Sequence, residues 1–598
     1  MASVDENETA KAQSLSVTVA PSRGWPDFFR EFLRLAGPYW ASEDKWKVRG
    51  LTAVLVVFTI AQVVVQVALN LWIARLFDSL AGHSIGRFVF LLSVLAVILV
   101  ANLVVNTLHL WMRRWIQIGW RRWLTKRISN EWMEAGHQYL VTYMPGEHTN
   151  PDGRIAEDIR NTTEFAVDLV HSFFYCVLLL VSFIQILWSL SGVPELDIAG
   201  FHLYLPGHLV WAAVLYAAAG TAIAWLLGRP MVRASDRRQT FEANFRFGLV
   251  HARENSLAVA LLHGESDERG RFAGLFKGVA EAWNKQTSAL IHFFYFQTSW
   301  SVLLQVFPIL VAAPRFIAGA ITLGALMQIS QAFQQAISAM SWPIDNLAKV
   351  ADWRASVERV LALHEAIQRL IAHIATDGRA IIEVAPSSNS VLSFRKVTIA
   401  DPNGDTAVNE FDLDIRGGER VLVGGDTGAA LKLLKAAVGL WPWGSGRIEL
   451  PNAPIFFATQ RPYLPIGSLR DAIAYPAIAK PLDDGPLGDI LMRVGLQNLV
   501  TRLDQIENWE QLLAADEQQR LGFARLFIHR PAWIFIQEAT DALDPEEEAK
   551  MMALLGQELP DATVVTIGHH AGLMAYHRRQ FSLVRHDGYA IVEENRIT

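Results

Sequence analysis

Apolar residues come in long unbroken blocks through the first part of the chain and in short alternating runs through the last. Six stretches (51–72, 88–110, 170–190, 205–227, 291–313 and 317–340) are long and apolar enough to cross a bilayer, which takes about 20 residues in helix. The fourth and sixth carry small residues, YAAAGTAIAW and IAGAITLGAL, the composition that lets helices approach closely in lipid. The sixth is also the most polar, holding Gln328, Gln331, Gln334 and Gln335, and is expected to face a cavity or a partner helix. Residues 111–169 and 228–290 read as charged amphipathic helix without strong breakers. At 1.5 Å per residue, such stretches carry a bundle well beyond the bilayer.

After residue 340 the pattern changes. ADWRASVERVLALHEAIQRLIAHIA reads as one more amphipathic helix, and APSSNS marks a linker. The runs VLSFRKVTIA, AVNEFDLDIRGGERVLVGG and WIFIQEA then alternate with helical segments, an α/β pattern. The expected division is a polar disordered tail at 1–26, a helical membrane domain at 27–375, a linker at 376–390 and an α/β domain at 391–598.

Composition supports a membrane half joined to a soluble half. Of 598 residues, 52% are hydrophobic and 19% charged, against about 25% charged in an average soluble domain. Mean hydropathy is +0.22. A disordered or collagen-like chain is excluded, and an ordinary soluble enzyme is disfavoured. Lys and Arg number 53 against 59 acids, a net charge of −6, so no bulk basic charge points to nucleic acid. The single cysteine, Cys176, lies in an apolar run and reads as a small buried hydrophobe, without a disulfide or multi-cysteine metal site.

Basic residues sit on alternate loops. Arg30, Arg34, Lys45, Lys47 and Arg49 precede the first block; Arg113, Arg114, Arg121, Arg122, Lys126 and Arg127 follow the second; Arg229, Arg233, Arg237 and Arg238 follow the fourth. The loop GVPELDIAG on the other side has two acids and no base. This asymmetry puts both termini and the α/β domain on the cytoplasmic side. Long helical extensions on that side and short loops on the other outline an ABC exporter-type membrane domain.

Within the α/β half, a strand ERVLVGG meets a glycine turn and the helix LKLLKAAVGL. Gln460, the segment EQQR (Glu517–Arg520), an apolar strand before Glu538, ALD ending at Asp544, and His569 follow in order. Together they mark a P-loop nucleotide-binding domain. Phosphate binding there needs G-x-x-x-x-G-K-S/T: backbone N–H groups freed by glycine, a lysine for the β/γ oxygens and a hydroxyl for Mg²⁺. From Gly425 this chain reads G-D-T-G-A-A-L-K, with Ala430 for the second glycine, Leu431 for the lysine and Lys432 for the hydroxyl residue. Lys432 reaches the phosphates only if the loop slides by one residue.

The whole chain resembles the bacterial fused permease–ATPase family that is related to peroxisomal fatty-acyl (ABC subfamily D) transporters and to peptide-antibiotic, cobalamin and bleomycin uptake proteins. The segments that carry this include GPYWASEDKW, TNPDGRIAEDIR, LPGHLVWAAVLYAAAGT, GLWPWGSGRI, RPYLPIGSLRDAIAYP and EQQRLGFARLFIHRP. The resemblance implies a six-span α-helical transmembrane bundle followed by an α/β ABC nucleotide-binding domain, in a bacterial inner membrane. It implies a homodimer, or a heterodimer with a related ABC half-transporter, that moves a peptide, cobalamin-like or other amphipathic solute through the lipid bilayer. It further implies ATP and Mg²⁺ as cofactors. Gly425, Thr427, Gly428, Lys432, Gln460 and Asp544 would then face the nucleotide, with Gln460 toward Mg²⁺, Glu538 as catalytic base and His569 as switch.

The family's LSxGEQQR reads LAADEQQR here, so Ala514 lacks the hydroxyl and Asp516 adds a carboxylate where a phosphate should dock. Gln537 stands where the family has the Mg²⁺-supporting Asp. ATP hydrolysis is therefore expected to be impaired, and an intact partner would not restore it, because each composite site inherits one of these changes. Two alternatives stay open. One is a proton-coupled transporter with a vestigial nucleotide-binding domain, its relay drawn from Asp78, Glu164, Asp168, His109 and His171. The other is a non-transporting regulatory partner subunit.

Overall fold

The computed structural model describes residues 23–596 apart from 145–149, 193–194, 199–200, 205, 377–380, 388, 477–482 and 587. The chain separates into two compact units, one of residues up to 128 with 150–361, the other of 129–149 with 362–598. Most of the tail expected at 1–26 lies outside the described residues. Its last two residues do not belong to a tail, because helix α1 already begins at Trp25 and runs Trp25–Ala36.

The first unit is built of long helices: α2 (Lys45–Ala81), α3 (Ile85–Met133, continuing into the second unit), α4 (Ile159–Ser191), α5 (His208–Glu254), α6 (Glu265–Ile317), α7 (Leu323–Met340) and α8 (Leu347–Thr376, likewise shared). Among the described residues, five helical stretches, containing α2 to α6, are long and apolar enough to cross a membrane. The 49 residues of α3 and 53 of α6 rise about 74 and about 80 Å, against a hydrocarbon core of about 30 Å. The charged segments after the second and fourth apolar blocks are thus continuations of the spanning helices. The exposed apolar side chains of α3, such as Val97 and Leu103, are what a lipid-facing surface requires.

The sixth expected span is shorter: it ends at Met340 as expected but starts six residues later. Ile317 closes α6, a bend follows, and α7 starts only at Leu323, where Thr322 caps it by accepting from the Ala325 N–H at 3.1 Å. The 18-residue α7 falls outside the set of helices apolar enough to span. Its polar residues bind a neighbour instead of lipid: buried Asn70 of α2 donates to the Gln328 carbonyl (3.1 Å) and to Gln331 Oε1 (3.0 Å). Close approach of α2 and α7 requires a glycine at 324, because a Cβ there would lie 2.0 Å from the Ala74 carbonyl oxygen. Asp78 accepts the Gly324 N–H at 2.8 Å. The fourth expected span is also shifted, since α5 begins at His208.

The second unit holds a ten-stranded sheet made of β1 (Glu383–Ser387), β2 (Val391–Ala400), β3 (Thr406–Arg416), β4 (Arg420–Gly425), β5 (Gly444–Pro451), β6 (Ile455–Thr459), β7 (Trp533–Gln537), β8 (Thr563–Ile567), β9 (Arg579–His586) and β10 (Tyr589–Arg596). Their order is β1-β5-β2-β3-β10-β9-β4-β8-β7-β6. The segment β9-β4-β8-β7-β6 is parallel, and its inner strands β4, β8 and β7 are buried through their central residues, as strands covered on both faces are. Two apolar cores flank the sheet: Leu422, Ile534, Ile536 and Val564 face one, and Val421, Val423, Phe535 and Val565 the other. Part of the stretch expected as a linker, residues 383–387, is the edge strand β1, paired parallel with β5.

Candidate functional site

The parallel strands end along one edge, where the turns after β4, β6, β7 and β8 bring the expected site residues together. The β4 turn decides what can bind there. Gly425 closes β4 at φ +90°, and a Cβ would lie 2.3 Å from the Leu583 carbonyl oxygen, so glycine is required by the neighbouring strand β9. Helix α9 (Thr427–Ala437) starts two residues later. Only Asp426 separates strand from helix, so no loop remains to wrap a phosphate.

Asp426 also occupies the helix end electrostatically. Its Oδ1 accepts the Ala429 N–H at 2.9 Å, its carbonyl accepts the Ala430 N–H at 2.9 Å, and Arg585 lies 3.7 Å from Oδ2. A helix N-terminus attracts anions through its free N–H groups and dipole; here the chain supplies its own. Thr427 and Gly428 are the first two helical residues. Ala430, where the phosphate motif has glycine, is buried in the core beneath the sheet, and Leu431 occupies the lysine position. Lys432 does not slide toward the turn. Its Nζ pairs with Asp401 at 2.5 Å and lies 5.6 Å from the Trp441 ring centre.

The other positions spread along the same edge. Gln460 follows β6 and donates through Nε2 to Asp541 Oδ2 at 3.3 Å. Gln537 ends β7, in register with Thr459 and Ile567. Glu538 comes next in the left-handed region at φ 48°, its N–H bonded to the Ile567 carbonyl at 3.0 Å. A non-glycine residue there is uncommon and often marks a functional turn. Asp544 caps helix α11 (Pro545–Glu558) by accepting from the Glu547 N–H at 2.8 Å, so its carboxylate has a structural partner. His569 follows β8 and is exposed, its ring centre 4.7 Å from that of His570.

At the start of helix α10 (Ala515–His529), Ala514 is the N-cap and has no side-chain acceptor; Glu517 reaches back to its N–H at 3.1 Å. Asp516 forms an ion pair with Arg520 one turn on, which offsets the added negative charge within the chain. Residues 129–149 form the remaining part of this unit. Tyr143 packs edge-on against Trp441 and Trp443, with ring centres 5.1 and 5.6 Å apart.

Sequence reasoning missed three contributors. Asp426 signals itself as an acidic N-cap directly before an apolar-periodic helix. His570 and Asp541 lie beside positions already singled out, and the HH pair at 569–570 was the available signal.

In the first unit the candidate relay residues fall into two groups. His109 and His171 lie against each other, with ring centres 4.2 Å apart and ring planes tilted by 41°. Among the described residues, His109 Nε2 and both nitrogens of His171 have no hydrogen-bond partner. Asp168 accepts from Gln117 and Lys349 at 2.8 Å each, with Arg113 at 3.7 Å. Asp78 is engaged with α7, and Glu164 contributes its carbonyl to Gln117 at 3.1 Å. Next to the histidines, an apolar cavity of about 960 Å³ is lined by Phe29, Trp40, Trp120, His171, Phe174 and Trp342, among others.

Residues 36–317 match the family model for ABC transporter transmembrane region 2. The inner membrane ABC transporter ATP-binding protein YddA of Escherichia coli (strain K12) is 28% identical, over 91% of this chain and 95% of the relative. ABC transporter D family member 2, chloroplastic, of Arabidopsis thaliana is 27% identical over 92% of this chain and 85% of its own length. The human lysosomal cobalamin transporter ABCD4 is 23% identical, over 92% and 93%. A bacterial Atm1-family ABC exporter solved with ATP bound shares the fold at a TM-score of 0.64 and 18% identity, over 92% of this chain and 95% of that one.

Proposed function

Because the chain is a fused ABC transporter polypeptide, membrane and ATP-binding parts together, related to YddA and subfamily D, we propose that two such halves form a dimeric inner-membrane carrier for an amphipathic solute whose ATP cycle is impaired. The partner is a second copy or a related half-transporter, and the basic loops, both termini and the α/β domain face the cytoplasm. Domain limits follow the division 27–375 and 391–598, with strand β1 inside the intervening stretch. The solute class, a peptide or cobalamin-like compound, is supported by the roughly 960 Å³ aromatic-lined cavity beside α1 and α4.

The β4–α9 turn carries the impaired cycle. By resemblance to ABC transporters, this chain would hold ATP and Mg²⁺ at Gly425, Thr427, Gly428, Lys432, Gln460 and Asp544. Here one residue spans the turn, its carboxylate fills the anion position, and Lys432 is held by Asp401. These residues do not fit a nucleotide phosphate. Glu538 and His569 keep the base and switch positions without the phosphate cradle that would give them work.

ATPase measurement on the purified chain tests this. Turnover should fall on the order of a hundredfold or more below an intact relative, the scale of losing transition-state electrostatics. Grafting a G-x-x-x-x-G-K-S loop in place of residues 425–432 should raise nucleotide affinity. Wild-type turnover equal to the relative's would overturn the proposal.

A second reading, proton coupling, is favoured by the close His109–His171 pair, in which His109 Nε2 and both His171 nitrogens lack a hydrogen-bond partner among the described residues. Uptake into proteoliposomes under an imposed pH gradient should then fall in a His171→Ala variant. Uptake indifferent to collapse of the gradient would rule it out and leave the first reading, whereas no uptake at all would favour the non-transporting regulatory-subunit alternative.

A further inference from the structure

Two imidazoles and a carboxylate converge between neighbouring turns of the α/β domain. Asp541 follows β7, and His569 and His570 follow its parallel neighbour β8. Each offers one ligand atom, and the three atoms lie within 4.8 Å of one another. We infer that Asp541, His569 and His570 form a binding site for a divalent transition metal ion, with zinc the best match.

The donor set argues for this class of ion. Imidazole nitrogens suit zinc, copper and nickel, whereas magnesium and calcium prefer all-oxygen ligands. At zinc–ligand distances of about 2.0–2.1 Å, tetrahedral ligand atoms stand about 3.3 Å apart. Rotation of the side chains, that of exposed His569 above all, closes the remaining gap.

Support behind the ligands is already built. His570 Nδ1 lies 3.0 Å from Oε2 of Glu548, a buried carboxylate whose other oxygen accepts from Thr540 Oγ1 at 3.3 Å. Ligating histidines nearly always give their second ring N–H to such a group, which fixes the tautomer and raises ligand basicity. With Nδ1–H donated to Glu548, Nε2 is the nitrogen left for an ion. Gln460 Nε2 holds one oxygen of Asp541 at 3.3 Å and leaves the other free. Three protein ligands leave a fourth position for water or an anion. An ion there would tie the turns after β7 and β8 together. The site differs in ligands and metal from a Mg²⁺–nucleotide site, and it holds whether or not ATP is hydrolysed.

The test uses the untagged full-length chain in detergent, stripped with EDTA and titrated with Co²⁺ while its visible d–d bands are followed. One ion per chain should bind with a tetrahedral spectrum, be displaced by Zn²⁺ and resist a large excess of Mg²⁺. His570→Ala and Asp541→Asn should each weaken binding at least about tenfold, and Glu548→Gln by about 10–100-fold. His569→Ala with His570→Ala should abolish the bands, with thermal melting checking that each variant is folded. Unchanged Co²⁺ affinity in that double variant would move the ion elsewhere among the 17 histidines and overturn the assignment. So would an absence of stoichiometric binding by the wild-type chain. ATPase activity is not read at any stage, so this outcome is separate from that of the carrier proposal.

Discussion

Asp426 shows how one side chain can close an anion site. Its carboxylate meets the Ala429 N–H, which would otherwise be free at the start of α9, where an acidic cap is favourable. Asp426→Ala should lower the thermal stability of the α/β unit by about 0.5–2 kcal/mol, the usual loss for an N-cap, read by melting of the purified chain. His577 offers a pH-dependent counterpart. It is buried, its Nδ1 donates to the Leu573 carbonyl at 2.7 Å, and Nε2 therefore accepts from Thr566 Oγ1 at 2.8 Å. Burial pushes this imidazole below its ordinary value, with the Leu573 bond opposing. The unfolded chain then takes up a proton that the folded chain resists. Stability from this group is fully present above about pH 6.5 and is lost as pH falls below it. Melting curves from pH 8 to pH 5 should show that decline, and His577→Gln should flatten it. Thr566→Val, which leaves Nε2 without a donor, should cost about 1–3 kcal/mol.

Among the elements, α7 is the one that most departs from its sequence appearance. Its glutamines made it look like a polar span; in the fold they make it the inner partner of α2 through Asn70. Asn70→Leu should weaken this packing by about 0.6 kcal/mol, up to about 1.7 kcal/mol, the measured range for such bonds within membranes. The check is the midpoint of denaturant unfolding in detergent. The later start of α7 has a local cause. Thr322 supplies a cap and Gly324 allows contact with α2, and neither requirement shows in a hydropathy profile.

At the scale of the molecule, the second unit takes in the last residues of the long helix α3 and the described segment that follows it, up to residue 144. Tyr143 seats against Trp441 and Trp443, and Lys435 lies 5.2 Å from the Tyr139 ring centre. Tyr143→Ala should raise amide hydrogen exchange across residues 137–144 without altering that of β7 and β8, because the lost contact is confined to this patch. The apolar blocks, the alternation that follows them and the order of the nucleotide-domain motifs were all legible in the sequence, because each rests on local periodicity or on fixed spacing within one strand–turn–helix unit. The substitutions at Ala430, Leu431, Ala514, Asp516 and Gln537 were legible for the same reason.

By itself, the sequence determined that long lipid-compatible helices precede an α/β domain, since hydrophobic period and length depend only on neighbouring residues. It also determined that the phosphate motif lacks its lysine and hydroxyl. Tertiary structure alone decided where the displaced groups went. Lys432 is held by Asp401 and Trp441, Asp426 fills the helix end, Asp516 turns to Arg520, and Asp541 meets His569 and His570. Except for the short-range pairing of Asp516 with Arg520 and the capping by Asp426, these contacts join residues far apart in the chain. They form only when the folded sheet brings turns from separate strands together, a proximity that no local pattern encodes.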